Sequence, residues 1–85
     1  MGRRLIYSHH ATQMLSERGI RPEWVEQTIE EPDAVEPDPI RPGTMKAFRA
    51  VTENSNRILR VVYTEAEDTT KIITAFFDRG RTKSK

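Results

Sequence analysis

The residues of this 85-residue chain that could do chemistry are two adjacent histidines, a set of arginines set into apolar runs, and Thr74. His9 and His10 follow Ser8 at the start of a helix-compatible stretch. Imidazole titrates near neutral pH, so either could act as a general acid or base. Helical neighbours point about 100° apart, so the pair cannot face one ligand, and a two-histidine metal site is not expected. By the same arithmetic His10 lies about 20° from Glu17 and about 40° from Met14, on the border of the apolar stripe, whereas His9 falls to solvent or to the cap. His10 is therefore either a histidine bonded to backbone near the helix start or a functional acid or base.

Arg49 and Arg60 each interrupt an apolar alternation, in MKAFRAVT (45–52) and RILRVVYT (57–64). With both on an open sheet face and Arg79 and Arg81 at its rim, they form a phosphate-sized positive patch beside the Thr74 hydroxyl and the Phe76 ring. Such a patch can bind RNA or stabilise the charge of a phosphoryl-transfer transition state. Alternatively each arginine pairs with an acid of the segment 33–38. The chain has no G-x-G-x-x-G, P-loop, H-E-x-x-H or G-x-S-x-G pattern and no cysteine, so no cofactor and no metal is expected.

These side chains need a scaffold, and the chain is built around residues 57–78. The runs RILRVVYT and KIITAFFD, rich in β-branched and aromatic residues, predict a hairpin joined by EAEDTT. Strand alternation sets Leu59, Val61 and Tyr63 against Ile58, Arg60 and Val62, and Ile73, Ala75 and Phe77 against Ile72, Thr74 and Phe76. Arg60 and Thr74 are assigned to the open face. Leu5–Tyr7 is a short edge strand, Ser8 an N-cap, 9–18 a helix with Ala11, Met14, Leu15 and Arg18 on one stripe, and Gly19 its stop. Pro22 opens a second helix whose buried stripe is Trp24, Val25, Thr28 and Ile29, with Trp24 a core anchor, and Pro32 ends it. The proline-rich acidic stretch 32–43 is a loop with room for a short edge strand at 34–36. A strand over 45–52 and a turn at 54–56 lead back to the hairpin. The expected fold is α+β in the order β-α-α-β-β-β, with both N-terminal helices on one face of a three- to four-stranded antiparallel sheet.

Composition narrows the class of partner. The net charge of +1 hides a segregated pattern: residues 1–22 carry +3, 23–41 carry −6 and 42–85 carry +4. A chain so divided can hold a polyanion on one side. Only 35% of residues are hydrophobic and 32% are charged, so a homodimer or bound partner is a candidate source of extra stability. No apolar run approaches a membrane span and the N-terminus has no signal pattern, so the expectation is one cytoplasmic domain over 1–78 with a mobile basic tail, 79–85.

The run His10-Ala11-Thr12-Gln13-Met14-Leu15-Ser16-Glu17-Arg18-Gly19-Ile20, then Val25 and Pro32-Asp33, resembles the opening of the domain-of-unknown-function family 4258, whose members read H-A-x-x-R-M-x-E-R-G-I. Ile72-Ile73-Thr74-Ala75-Phe76 stands for its closing V-V-T-A-Y. Met14 replaces the family arginine and Phe76 the tyrosine. At fold level the family resembles ribonuclease toxins of the RelE and BrnT type. The resemblance implies metal-independent RNA cleavage, with His10 the acid or base removing the ribose 2′-hydroxyl proton, Arg18 and Arg60 phosphate contacts, and Thr74 a positioning hydroxyl. It also implies a cognate antitoxin as partner. The alternative is a non-catalytic RNA- or protein-binding module, consistent with the two lost family groups.

Overall fold

The first strand, β1 (Arg4–Tyr7), runs straight into a helix because Ser8 caps it: the Ser8 backbone is extended and its Oγ accepts from the Ala11 N–H. Helix α1 (His9–Arg18) ends at Gly19, whose φ of 66° closes the last turn with a bond to the Leu15 carbonyl. Pro22 starts α2 (Pro22–Glu30), where its missing N–H costs nothing. Four strands follow, β2 (Ala34–Pro37), β3 (Thr44–Val51), β4 (Arg57–Glu65) and β5 (Thr69–Phe77). A 3-10 turn at Thr52–Asn54 precedes β4, with Ser55 and Asn56 both at positive φ. The computed structural model describes residues 4–80.

The architecture is α+β, as the alternation patterns predict, but the sheet has five strands and is mixed, in the order β1-β5-β4-β3-β2. β1 pairs with β5 in parallel, Leu5 opposite Thr70 and Tyr7 opposite Ile72. A parallel neighbour needs a crossover, which the rest of the chain supplies between first strand and last. The acidic loop adds the fifth strand, with Ala34 opposite Phe48. The hairpin connection is shorter than EAEDTT, since the ladder extends to Glu65 opposite Thr70 and the Ala66 N–H reaches the Thr69 carbonyl.

Both helices lie on one face of the sheet, termed here the back. Leu59, Val61 and Tyr63 of β4 pack there with Ala11 of α1 and with Trp24 and Val25 of α2. Trp24 meets Phe77 edge to face at 6.1 Å between centroids, and Thr28 closes its hydroxyl on the Trp24 carbonyl. Along β5 the expected alternation fails at one point. Val62 pairs with Thr74 but the next residue, Tyr63, pairs with Ile72, so Ile73 is an extra residue on β5. This bulge swings Ile72 to the back with Ala75 and Phe77, and leaves Thr74 and Phe76 on the front.

The bulge is fastened to the start of α1. The Ser8 N–H donates to the Ile72 carbonyl, and its hydroxyl donates to the Ile73 carbonyl while accepting from Ala11. One side chain thus serves as helix cap and as sheet anchor. Ser8→Ala removes both bonds and is expected to cost about 1–2 kcal/mol. A urea titration followed by circular dichroism checks this; a midpoint equal to wild type contradicts the anchoring role.

Candidate nucleic-acid interface

Opposite the helices, the front of the sheet is ordered by cross-strand register into rows. Ile6, Lys71, Thr64 and Thr44 form one, Thr74, Val62, Lys46 and Glu36 the next, and Phe76, Arg60, Phe48 and Ala34 the third. Arg4 lies beyond the first row, opposite Thr69. Arg4 and Lys71 are exposed, while Lys46, Thr64, Thr74 and Phe76 are half-buried. The last row belongs to a second, smaller apolar cluster in which Phe48, Ala50 and Ile58 are buried beside Ala34.

Arg60 is the centre of that row. Its guanidinium lies over two rings, 5.3 Å from the Phe48 centroid and 5.2 Å from that of Phe76. One terminal nitrogen donates to the Asp78 carboxylate at 2.5 Å, and its Nε is buried with no hydrogen-bond partner. Asp78 extends the β4–β5 ladder by one bond to the Ile58 carbonyl, and its other oxygen accepts from the Gly80 N–H. The ion pair that the sequence allows therefore forms, but with Asp78 and not with an acid of 33–38. In that loop Asp33 accepts from the Ala50 N–H and Asp38 from the Ile40 N–H.

The remaining candidates are scattered. Arg60 and Thr74 share the front, as assigned from alternation. Arg49 does not join them: it pairs with Leu59 on the helix side, donates to the Glu31 carbonyl at 2.6 Å, and lies 4.0 Å from the Glu31 carboxylate. The C-terminus of α2 exposes carbonyls at the negative end of the dipole, and Arg49 satisfies one of them. His10 and Arg18 are exposed on α1, behind the sheet, near opposite ends of the helix and about 12 Å apart along its axis. The four groups His10, Arg18, Arg60 and Thr74 thus do not converge on one cleft. The start of the helix is tied to the residue before Thr74 by the Ser8 bond to the Ile73 carbonyl. Arg79 is exposed in the turn after β5, and Arg81 lies outside the described residues.

Sequence reasoning missed Lys46 and Lys71. Lys46 shares a strand face with Phe48, so alternation from Arg60 could have found it; Lys71 was hidden by the bulge, which resets the count along β5. It also missed Tyr7, whose hydroxyl is buried on the helix side without a partner. Burial foremost, and then the nearby Glu26 carboxylate, push the Tyr7 phenol up from its ordinary value.

With this geometry in place, the comparisons add one assignment. Residues 7–77 match the family model described as Domain of unknown function (DUF4258), and the chain belongs to that family. No curated protein and no solved structure matches it.

The Tyr7 shift has a definite sign in stability. A phenol whose pKa is raised by folding favours the folded state until pH rises past its unfolded value, near 10, and that contribution is lost as pH climbs through the folded value. Wild type is expected to lose stability above about pH 10 more steeply than Tyr7→Phe, the two running parallel below about pH 9. Denaturant midpoints across that range test this; equal alkaline slopes contradict it.

Proposed function

We propose that this chain is an RNA-interacting protein of toxin–antitoxin type, with the sheet front as its interface. The observation that carries the reading is the excess of cations on the sheet front. Arg4, Lys46 and Lys71 project from the front beside Arg60 and the half-buried Phe76 ring, while α2 exposes Glu23, Glu26 and Glu30 behind. On the front these four cations outnumber Glu36 and Asp78, an excess that draws a polyanion to this side, and the Phe76 ring adds a stacking surface for a base. RNA as partner makes the cytoplasm the expected compartment. The front-facing threonines Thr64 and Thr74 supply hydroxyls that can bond phosphate or ribose oxygens.

Binding without turnover fits this geometry better than cleavage. Metal-independent cleavage requires a base and phosphate-holding cations around one ribose. Here His10 and Arg18 stand behind the sheet, and Arg60 is engaged by Asp78. The ribonuclease reading draws on the family motifs and on the Ser8 tether between the first turn of α1 and the strand carrying Thr74. A protein partner, such as an antitoxin or a second copy, is favoured by a different observation. The edge strand β2 and the loop after it leave Val35 44% and Ile40 83% exposed.

Fluorescence anisotropy with a labelled single-stranded RNA of about 12 nucleotides tests the proposal. A single strand loses log affinity against log salt with a slope of about −0.7 per phosphate contact, so three cations give a slope near −2. Lys46→Glu with Lys71→Glu is expected to weaken binding at least tenfold and flatten the slope. Binding indifferent to that double change, or no binding at low salt, contradicts the interface. RNA cleavage in EDTA that His10→Ala abolishes would establish the ribonuclease instead.

A further inference from the structure

We propose that Asp78 is a built-in competitor for the anion site on Arg60, so that a phosphate reaches this guanidinium by exchange with the protein's own carboxylate. The inference rests on the RNA-interacting reading and adds a control element to it.

Arg60 has contacts that orient it besides Asp78. Its guanidinium is held over the Phe48 and Phe76 rings at 5.3 and 5.2 Å, a stacking arrangement that suits a planar cation. Asp78 then takes one corner of the fork, through one terminal nitrogen and one carboxylate oxygen, with its other oxygen turned to the Gly80 N–H. A guanidinium has five donors, and a bidentate contact uses two of them side by side. This carboxylate is divided between at least two hosts, Arg60 and the Gly80 N–H, and the Arg60 Nε is buried without an acceptor. The pair is therefore short of the geometry that would commit it fully, and Asp78 keeps a second donor when it lets go of Arg60.

Position argues the same way. Asp78 follows Phe76 by two residues, one past the end of β5, and extends the ladder beside Ile58, so it lies diagonally next to Arg60. The Arg60 side chain keeps 28% of its surface exposed, against 13% for Asp78, so an incoming anion meets the cation first. Phosphate brings more acceptor oxygens than a carboxylate and can offer two to one guanidinium. The consequence is a front whose positive charge is partly masked in the free protein and unmasked by ligand.

The test is Asp78→Asn, which keeps the shape and an oxygen for Gly80 but removes the charge. With the same single-stranded RNA, Asp78→Asn is expected to bind five- to tenfold more tightly than wild type. Its salt slope should stay within about 0.7, one single-strand phosphate contact, of that of wild type, because both proteins end with the same phosphate on Arg60. Arg60→Ala in the Asp78→Asn background should erase the gain. Wild type that binds while Asp78→Asn binds equally or more weakly overturns the exchange and leaves the interface standing. Absence of RNA binding by both proteins overturns the two together. Independently of any variant, the Arg60 Nε–H resonance of wild type should shift when RNA is added; a resonance unmoved at saturation also overturns the exchange.

Discussion

Two helices cover one face of this sheet and, among the described residues, no helix covers the other, and most of the molecule follows from that asymmetry. A strand sends successive side chains to opposite faces, so every residue that alternates with the core must find its own environment on the front. Most of the chain's large apolar residues go to the back, where Leu59, Val61, Ile72 and Val25 are wholly buried. The front solves the same problem with less material. It closes Phe48, Ala50 and Ile58 into a small cluster and lays the Arg60 guanidinium across the aromatic surface. A cation there costs less than another apolar residue left exposed, because the arginine stem covers ring surface while its charged end meets Asp78.

The bulge at Ile73 connects the two solutions. An extra residue on β5 turns Ile72 inward, where β1 and α1 need it, and keeps Thr74 in register with Val62 outward. The Ser8 hydroxyl holds that irregularity in place while starting α1. The stretch of the family signature at the first turn of α1 and the stretch on β5 are therefore physical neighbours through one side chain. This contact accounts for the pairing of two segments that are distant in the chain without assigning either a catalytic role.

Much of this was legible from residue types alone. Ser8, Gly19 and Pro22 act at helix ends through their own backbone chemistry, and the structure uses all three as expected. The two faces of β4 were legible because β4 is regular. The fate of Arg49 and the parallel pairing of β1 were not, since both depend on long-range packing. Arg49 goes to a carbonyl at the end of α2, contributed by a residue 18 positions away. The face of Ile72 was missed because period-two counting has no term for an inserted residue. Asp78 was overlooked as the partner of Arg60 because charge density pointed to the acidic loop, and ion pairing follows register more than local composition.

The proposed function follows the same division between faces: the lysines and the half-buried Phe76 ring of the front are the side proposed to meet RNA. The most direct measurement of that claim is backbone amide shift mapping by NMR as single-stranded RNA is titrated into the protein. The largest shifts are expected at Lys46, Thr64, Thr74 and Phe76, with α2 unmoved. Shifts centred on His10 and Arg18 along α1, with the sheet front silent, would contradict it.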